Sequence, residues 1–190
     1  MNLFPLKQFS LFLACIILSV AGFAQTSTSD PHSYAQPDRA VVTHLALNLT
    51  VNFQKKVLTG KASWNIKVNQ DAGEIVFDTR DLEIRKVTLG DPEKLTTFTL
   101  GKNDDFLGKP LTVKLSPGTT VVNIYYTTSP GAAALQWLTP QQTGGKMLPF
   151  LFTQSQAILA RTWIPCQDGP GIRFTYEADV KVPPALLPLM

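Results

Sequence analysis

Histidine and cysteine are scarce in this 190-residue chain, which holds two of each. A protein-bound transition metal needs about three or four convergent ligands. Neither an H-E-x-x-H pair nor a Cys/His cluster supplies them. His32 falls in a polar stretch near the start and His44 on the polar side of what reads as a strand, so no catalytic residue and no metal ligand is expected here. The G-x-S-x-G nucleophile elbow and the glycine-rich phosphate loop are absent too. Charge is also thin. Charged residues make up 16% of the chain and the net charge of +3 includes no basic run, which excludes the electrostatic footprint of a nucleic-acid binder. Beyond the first two dozen residues, no apolar periodicity of helical spacing runs long enough for an amphipathic helix. What is present is a globular composition, 44% apolar.

The chain divides into three parts. Lys7, an apolar run over residues 9–20 and the small-residue pattern Gly22-Phe23-Ala24 read as a secretory signal peptide over residues 1–24, cleaved after Ala24. The run falls short of the roughly 20 apolar residues a spanning helix needs, so no stable membrane anchor is expected. Cys15 sits within the run rather than at its end, which argues against lipid attachment. The implied location is secreted or periplasmic. Residues 25–38, rich in Gln, Thr, Ser, Asp and Pro, read as a flexible leader, and residues 39–190 as one domain. After cleavage Cys166 has no partner for an internal disulfide, so the core must hold the fold.

Within the domain the period is two. Leu45, Leu47, Leu49, Val51 and Phe53 alternate with polar residues, and Leu58, Ala62, Trp64, Ile66 and Val68 do so again. This predicts a long hairpin, with Gly60 marking a bulge. Shorter strands are expected over residues 74–77, 82–89, 96–100, 111–114, 121–126, 150–157 and 172–182, separated by turn chemistry such as Gly90-Asp91-Pro92 and Ser116-Pro117-Gly118. Residues 129–149 read as a long loop with an apolar interior, Leu135-Gln136-Trp137-Leu138. The fold class is all-β, a β-sandwich or an open curved sheet. The apolar tail from Pro183 to Met190 suggests a chain that continues.

Two polar features stand out. Gln154 and Gln156, two apart, would share one face of a strand, and amides can fix a peptide because each carries a donor and an acceptor. A plain polar strand face is the alternative. The run Arg161-Thr162-Trp163-Ile164-Pro165-Cys166-Gln167-Asp168-Gly169-Pro170 predicts a tight structural turn in which Arg161 pairs with Asp168 and Cys166 is buried.

Together with Ala134-Leu135-Gln136-Trp137-Leu138-Thr139-Pro140, the runs Phe152-Thr153-Gln154-Ser155-Gln156-Ala157 and Pro165-Cys166-Gln167-Asp168-Gly169-Pro170 resemble peptidase family M1, and most of all its leukotriene A(4) hydrolase branch. The resemblance runs from about Asp38 to the end. It implies the saddle-shaped amino-terminal β-domain of a zinc aminopeptidase acting on peptide substrates. The zinc and its ligands would lie in a thermolysin-like catalytic domain missing from this chain, which would bind no zinc and catalyse nothing alone. It also implies a role for Gln156 in holding the substrate's amino end, with Gln154 a second candidate. Gly169 departs from the Glu of many relatives, and Gln156 from the Glu of aminopeptidase N enzymes. A signal peptide is foreign to the often cytosolic leukotriene branch and points to peptide scavenging outside the cytoplasm. The alternative from another class is a free-standing secreted β-sandwich binding module. An H-E-x-x-H in the downstream reading frame would separate the two.

Overall fold

The computed structural model describes residues 30–69 and 72–190. The expected signal peptide, residues 1–24, and the first part of the expected leader lie outside the described residues. Among the described residues, eleven strands form three sheets. Six of them, β1 (Ala40–Asn52), β2 (Val57–Val68), β4 (Glu83–Leu89), β5 (Lys94–Leu95), β8 (Val121–Thr127) and β11 (Thr175–Lys181), make a sheet in the order β11-β1-β2-β8-β4-β5. A second sheet has the order β3-β7-β6, from β3 (Glu74–Thr79), β7 (Lys109–Lys114) and β6 (Phe98–Leu100). A third pairs β9 (Leu135–Leu138) with β10 (Phe150–Thr153). The all-β expectation agrees with this.

The core lies between the first two sheets. Alternation aims Leu45, Leu47 and Leu49 of β1, Trp64 of β2 and Val122 and Ile124 of β8 inward, where they meet Ile75, Phe77, Leu111 and Val113 of the smaller sheet. Trp64 is wholly buried, and its indole N–H donates to the Pro165 carbonyl at 2.9 Å. A buried indole thereby fixes the turn that sequence reading had singled out.

Several boundaries move for physical reasons. The bulge of the long hairpin falls between Val42 and His44, not at Gly60, which pairs in register with Leu49. Gly60 is required for a different reason: a Cβ there would stand 1.9 Å from the Asn48 carbonyl oxygen. The expected strand over 96–100 is shorter, Phe98–Leu100, and a separate two-residue strand precedes it. Lys94–Leu95 pairs with β4 in the large sheet and Phe98–Leu100 with β7 in the small one, so the chain changes sheets at Thr96 and Thr97. The apolar stretch in the expected 129–149 loop is a strand, paired with β10 from Leu135↔Thr153 to Leu138↔Phe150. Trp137 there packs edge-on against Phe53 at 5.3 Å.

The leader is also shorter than expected. Residues 30–38 are tied to the domain: the Tyr34 amide donates to Asp78 Oδ1 at 2.7 Å and Ser33 Oγ to Asp78 Oδ2 at 2.5 Å. Polar composition suggested a flexible segment, but its donors meet a buried carboxylate. At the other end β11 adds to β1 in parallel, Leu45↔Tyr176 through Leu49↔Val180. Tyr176 and Ala178 thus continue the core face of the sheet yet remain exposed. Among the described residues, no helix is long and apolar enough to cross a membrane.

Candidate functional site

The two glutamines are not on a strand. β10 ends at Thr153, and the chain leaves the sheet through Gln154 and Ser155 into a turn over residues 156–159. One further ladder bond is made, from the Gln154 amide to the Ala134 carbonyl at 2.9 Å. The Gln156 amide then donates to Gln154 Oε1 at 3.1 Å, and the Leu159 amide to the Ser155 carbonyl at 2.9 Å. The Gln156–Ala157 peptide bond is cis. Both glutamine side chains are exposed, but they differ in what they have left to offer. Gln154 spends its carbonyl oxygen inside the turn. The Gln156 side-chain amide has no hydrogen-bond partner among the described residues.

Between the two glutamines, Ser155 points inward and its Oγ accepts from the Trp163 indole N–H at 3.0 Å. Thr162 fastens the same segment to β9: its Oγ1 donates to the Leu159 carbonyl at 2.7 Å and accepts from the Ala134 amide at 3.1 Å. The exposed turn therefore stands on a buried footing.

That footing is charged. Arg161, in a 3₁₀ turn over Ala160–Thr162, is fully buried. Its Nε donates to Asp168 Oδ2 at 3.0 Å, confirming the expected pair. Its Nη1 donates to the Leu107 carbonyl at 3.1 Å and its Nη2 to the His32 carbonyl at 2.7 Å. Asp78, equally buried, stands 3.7 Å from Nη1. It accepts from the Asp168 amide at 2.8 Å as well as from Ser33 and Tyr34. Burial pushes the Asp168 carboxyl above the ordinary aspartate range; the hydrogen bonds and charge of Arg161 pull it back, and nearby Asp78 adds to the rise. Such a cluster is tolerated inside a protein because each charge meets donors or acceptors of fixed geometry.

Gln167 completes the junction. Its Oε1 accepts from the Val42 amide at 3.0 Å, ahead of the stretch of β1 that β11 covers, and its Nε2 donates to the carbonyls of Ala40 and Val76 at 2.9 and 3.2 Å. One buried amide thus joins the two main sheets. Sequence reading passed over Asp78, Gln167, Ser155 and Trp163. The cue for Gln167 was a polar residue inside an otherwise apolar turn.

Cys166 is buried beside this cluster, and burial pushes its thiol well above the ordinary range, with Asp168 and Asp78 adding to the rise against Arg161. The thiol is therefore expected to resist iodoacetamide in the folded chain and to react once the chain is unfolded. Mass mapping of the Cys166 peptide under both conditions checks this; rapid native alkylation would contradict the assignment.

Beside the turn lies an open apolar groove of about 380 Å³, lined by Phe150 and Phe152 of β10, Trp163, Val180 and the tail from Leu186 to Met190. Among the described residues, no group of three or more His, Cys, Asp or Glu side chains is placed to hold a metal ion. The arrangement can offer an amide to a ligand.

Comparison with known proteins gives a consistent picture. A family model described as the Peptidase M1 N-terminal domain matches residues 31–189. The chain is 39% identical over 168 residues to the leukotriene A-4 hydrolase of Xenopus laevis, covering 85% of this chain and 27% of that protein. To leucine aminopeptidase 2 of Yarrowia lipolytica it is 32% identical over 155 residues, covering 80% and 24%. Among solved structures, yeast LTA4 hydrolase in complex with Bestatin superposes with a TM-score of 0.77 at 26% identity, covering 87% of this chain and 26% of that one. An M1 zinc metallopeptidase from Deinococcus radiodurans, at 17% identity and a TM-score of 0.56, shares the fold. The chain spans about a quarter of the length of the curated relatives it matches.

Proposed function

The chain belongs to the family of peptidase M1 N-terminal domains, and from that premise we propose that it forms one wall of the substrate cleft in an exported zinc aminopeptidase. Such an enzyme removes residues from the amino ends of peptides, and zinc, when bound, supplies an activated water. The described residues do not fit a zinc site, so the ligands would come from elsewhere in a longer protein. The part played by these residues is binding and orientation.

The observation that carries this reading is the exposed Gln156 side-chain amide, which has no hydrogen-bond partner among the described residues, on a turn fixed from beneath by Trp163 and Thr162. A side chain that accepts from an ammonium group, held on a rigid base, suits the amino end of a peptide. Gln154, alongside, braces the turn and has its amide nitrogen left to offer. The pattern from Lys7 to Ala24 supports export to the periplasm or the medium.

The test uses full-length protein recovered from outside the cytoplasm. Its amino terminus is expected at Gln25, and it is expected to hydrolyse an aminoacyl anilide, to lose that activity on chelation and to regain it with added zinc. The domain over residues 25–190 alone is expected to give no turnover. Metal-independent hydrolysis, or hydrolysis by the isolated domain, would overturn the proposal.

A further inference from the structure

We infer that the hydrogen bond between Ser155 and Trp163 is a positioning device for Gln156; the inference rests on the proposed role of Gln156 at the substrate's amino end. Ser155 lies between two exposed glutamines, yet its hydroxyl is turned inward onto the indole N–H at 3.0 Å. Trp163 itself is 9% exposed and belongs to the core cluster, so the bond ties a surface turn to a side chain that cannot drift.

The other restraints on the turn do not replace it. The bond from the Gln154 amide to Ala134 fixes the entry, the bond from the Leu159 amide to the Ser155 carbonyl closes the turn on itself, and the Thr162 hydroxyl, donating to the Leu159 carbonyl, fixes the exit. The bond from the Gln156 amide to Gln154 Oε1 links one exposed residue to another, and a flexible glutamine side chain gives little purchase. Of the bonds that reach the turn, that of the Ser155 hydroxyl ends on a core side chain one residue away from Gln156. Without it, the turn can shift as a unit while both of its ends stay attached. A displacement on the order of an ångström is enough to weaken a ligand contact substantially.

Ser155 is therefore a positioning residue. It does not touch the substrate; it sets where Gln156 meets it. The bond has two partners, and each can be removed alone: Ser155→Ala deletes the acceptor, and Trp163→Phe deletes the donor while keeping a ring in the core. If the bond is what matters, the two variants are equivalent and their combination adds nothing. Ser155→Thr retains the hydroxyl.

The experiment uses the full-length protein with an aminoacyl anilide as probe, and measures kcat, KM and Tm for wild type, Ser155→Ala, Ser155→Thr, Trp163→Phe, the Ser155→Ala/Trp163→Phe double variant and Gln156→Ala. The expected result is a loss of about three- to tenfold in kcat/KM for Ser155→Ala and Trp163→Phe, carried mainly by KM. The double variant should be no worse than either single one, and Ser155→Thr should lie within about twofold of wild type. Three results would overturn the inference: wild-type kcat/KM in Ser155→Ala while Gln156→Ala is impaired, losses that multiply in the double variant, or a fall in Tm with unchanged kinetics. If Gln156→Ala itself leaves kcat/KM unchanged, the reading of Gln156 fails first and the role of Ser155 fails with it.

Discussion

Arg161→Ala is expected to destabilise the domain by about 3–5 kcal/mol, enough to exhaust much of the stability of a domain this size. The side chain is fully buried and its hydrogen bonds reach Asp168, Leu107 and His32, three separate parts of the chain. Its removal leaves two carboxylates in the interior without a cation and strips the backbone carbonyls of Leu107, His32 and Asp168 of the donors that Arg161 supplies. Arg161→Lys keeps a charge but loses the planar fork, so it is expected to fall between the two. The variant should also show a distinctive pH dependence. With the cation gone, the already raised Asp168 carboxyl should rise further. A raised carboxyl adds stability below its unfolded value and loses it as pH climbs through the folded value. The deficit relative to wild type should therefore be larger at about pH 8 than at about pH 5. Urea unfolding followed by tryptophan fluorescence at both pH values checks this. A deficit below about 1 kcal/mol, or one independent of pH, would mean that the cluster is not what holds the turn.

The large-scale fold was legible because alternation is a direct consequence of strand geometry. β1 and β2 bury one side and solvate the other, and their residues alternate accordingly. Where period two carries no information, reading failed. Leu135–Leu138 has four residues, too few to separate a short strand from an apolar loop. The break at Thr153 was invisible because Gln154 and Gln156 fit a strand face as well as a turn. Gly60 was placed at a bulge because glycine in a strand signals either a bulge or a close backbone approach, and sequence does not choose between them. The footing of the site was hidden for another reason. Asp78 is far in sequence from Arg161 and Asp168, and so are Ser33 and Tyr34, which the polar composition of residues 25–38 assigned to a flexible leader. The Arg161–Asp168 pair was legible because the two residues are seven apart with Pro165 bending the chain between them. The glutamines attracted attention for the wrong geometric reason. In the proposed role what counts is the turn, which leaves the Gln156 side chain without a partner among the described residues and gives the Gln154 side chain one.

Gln156→Ala in the full-length enzyme is expected to lower kcat/KM by roughly ten- to a hundredfold, the loss of one hydrogen bond to a charged group at about 1.5–3 kcal/mol. Stability should not change, because the side chain is exposed and bonded to none of the described residues. Zinc content should be unchanged too, since the described residues hold no metal site. Gln156→Glu should be milder, because a carboxylate also accepts from an ammonium group. If the glutamine were merely part of a polar surface, truncation would leave kinetics per folded molecule at the wild-type level. The most direct measurement is therefore kcat/KM and Tm of Gln156→Ala against wild type, on the same preparations with the same aminoacyl anilide. The account predicts an unchanged Tm with kcat/KM reduced at least about tenfold; wild-type kcat/KM in a fully folded variant would contradict it.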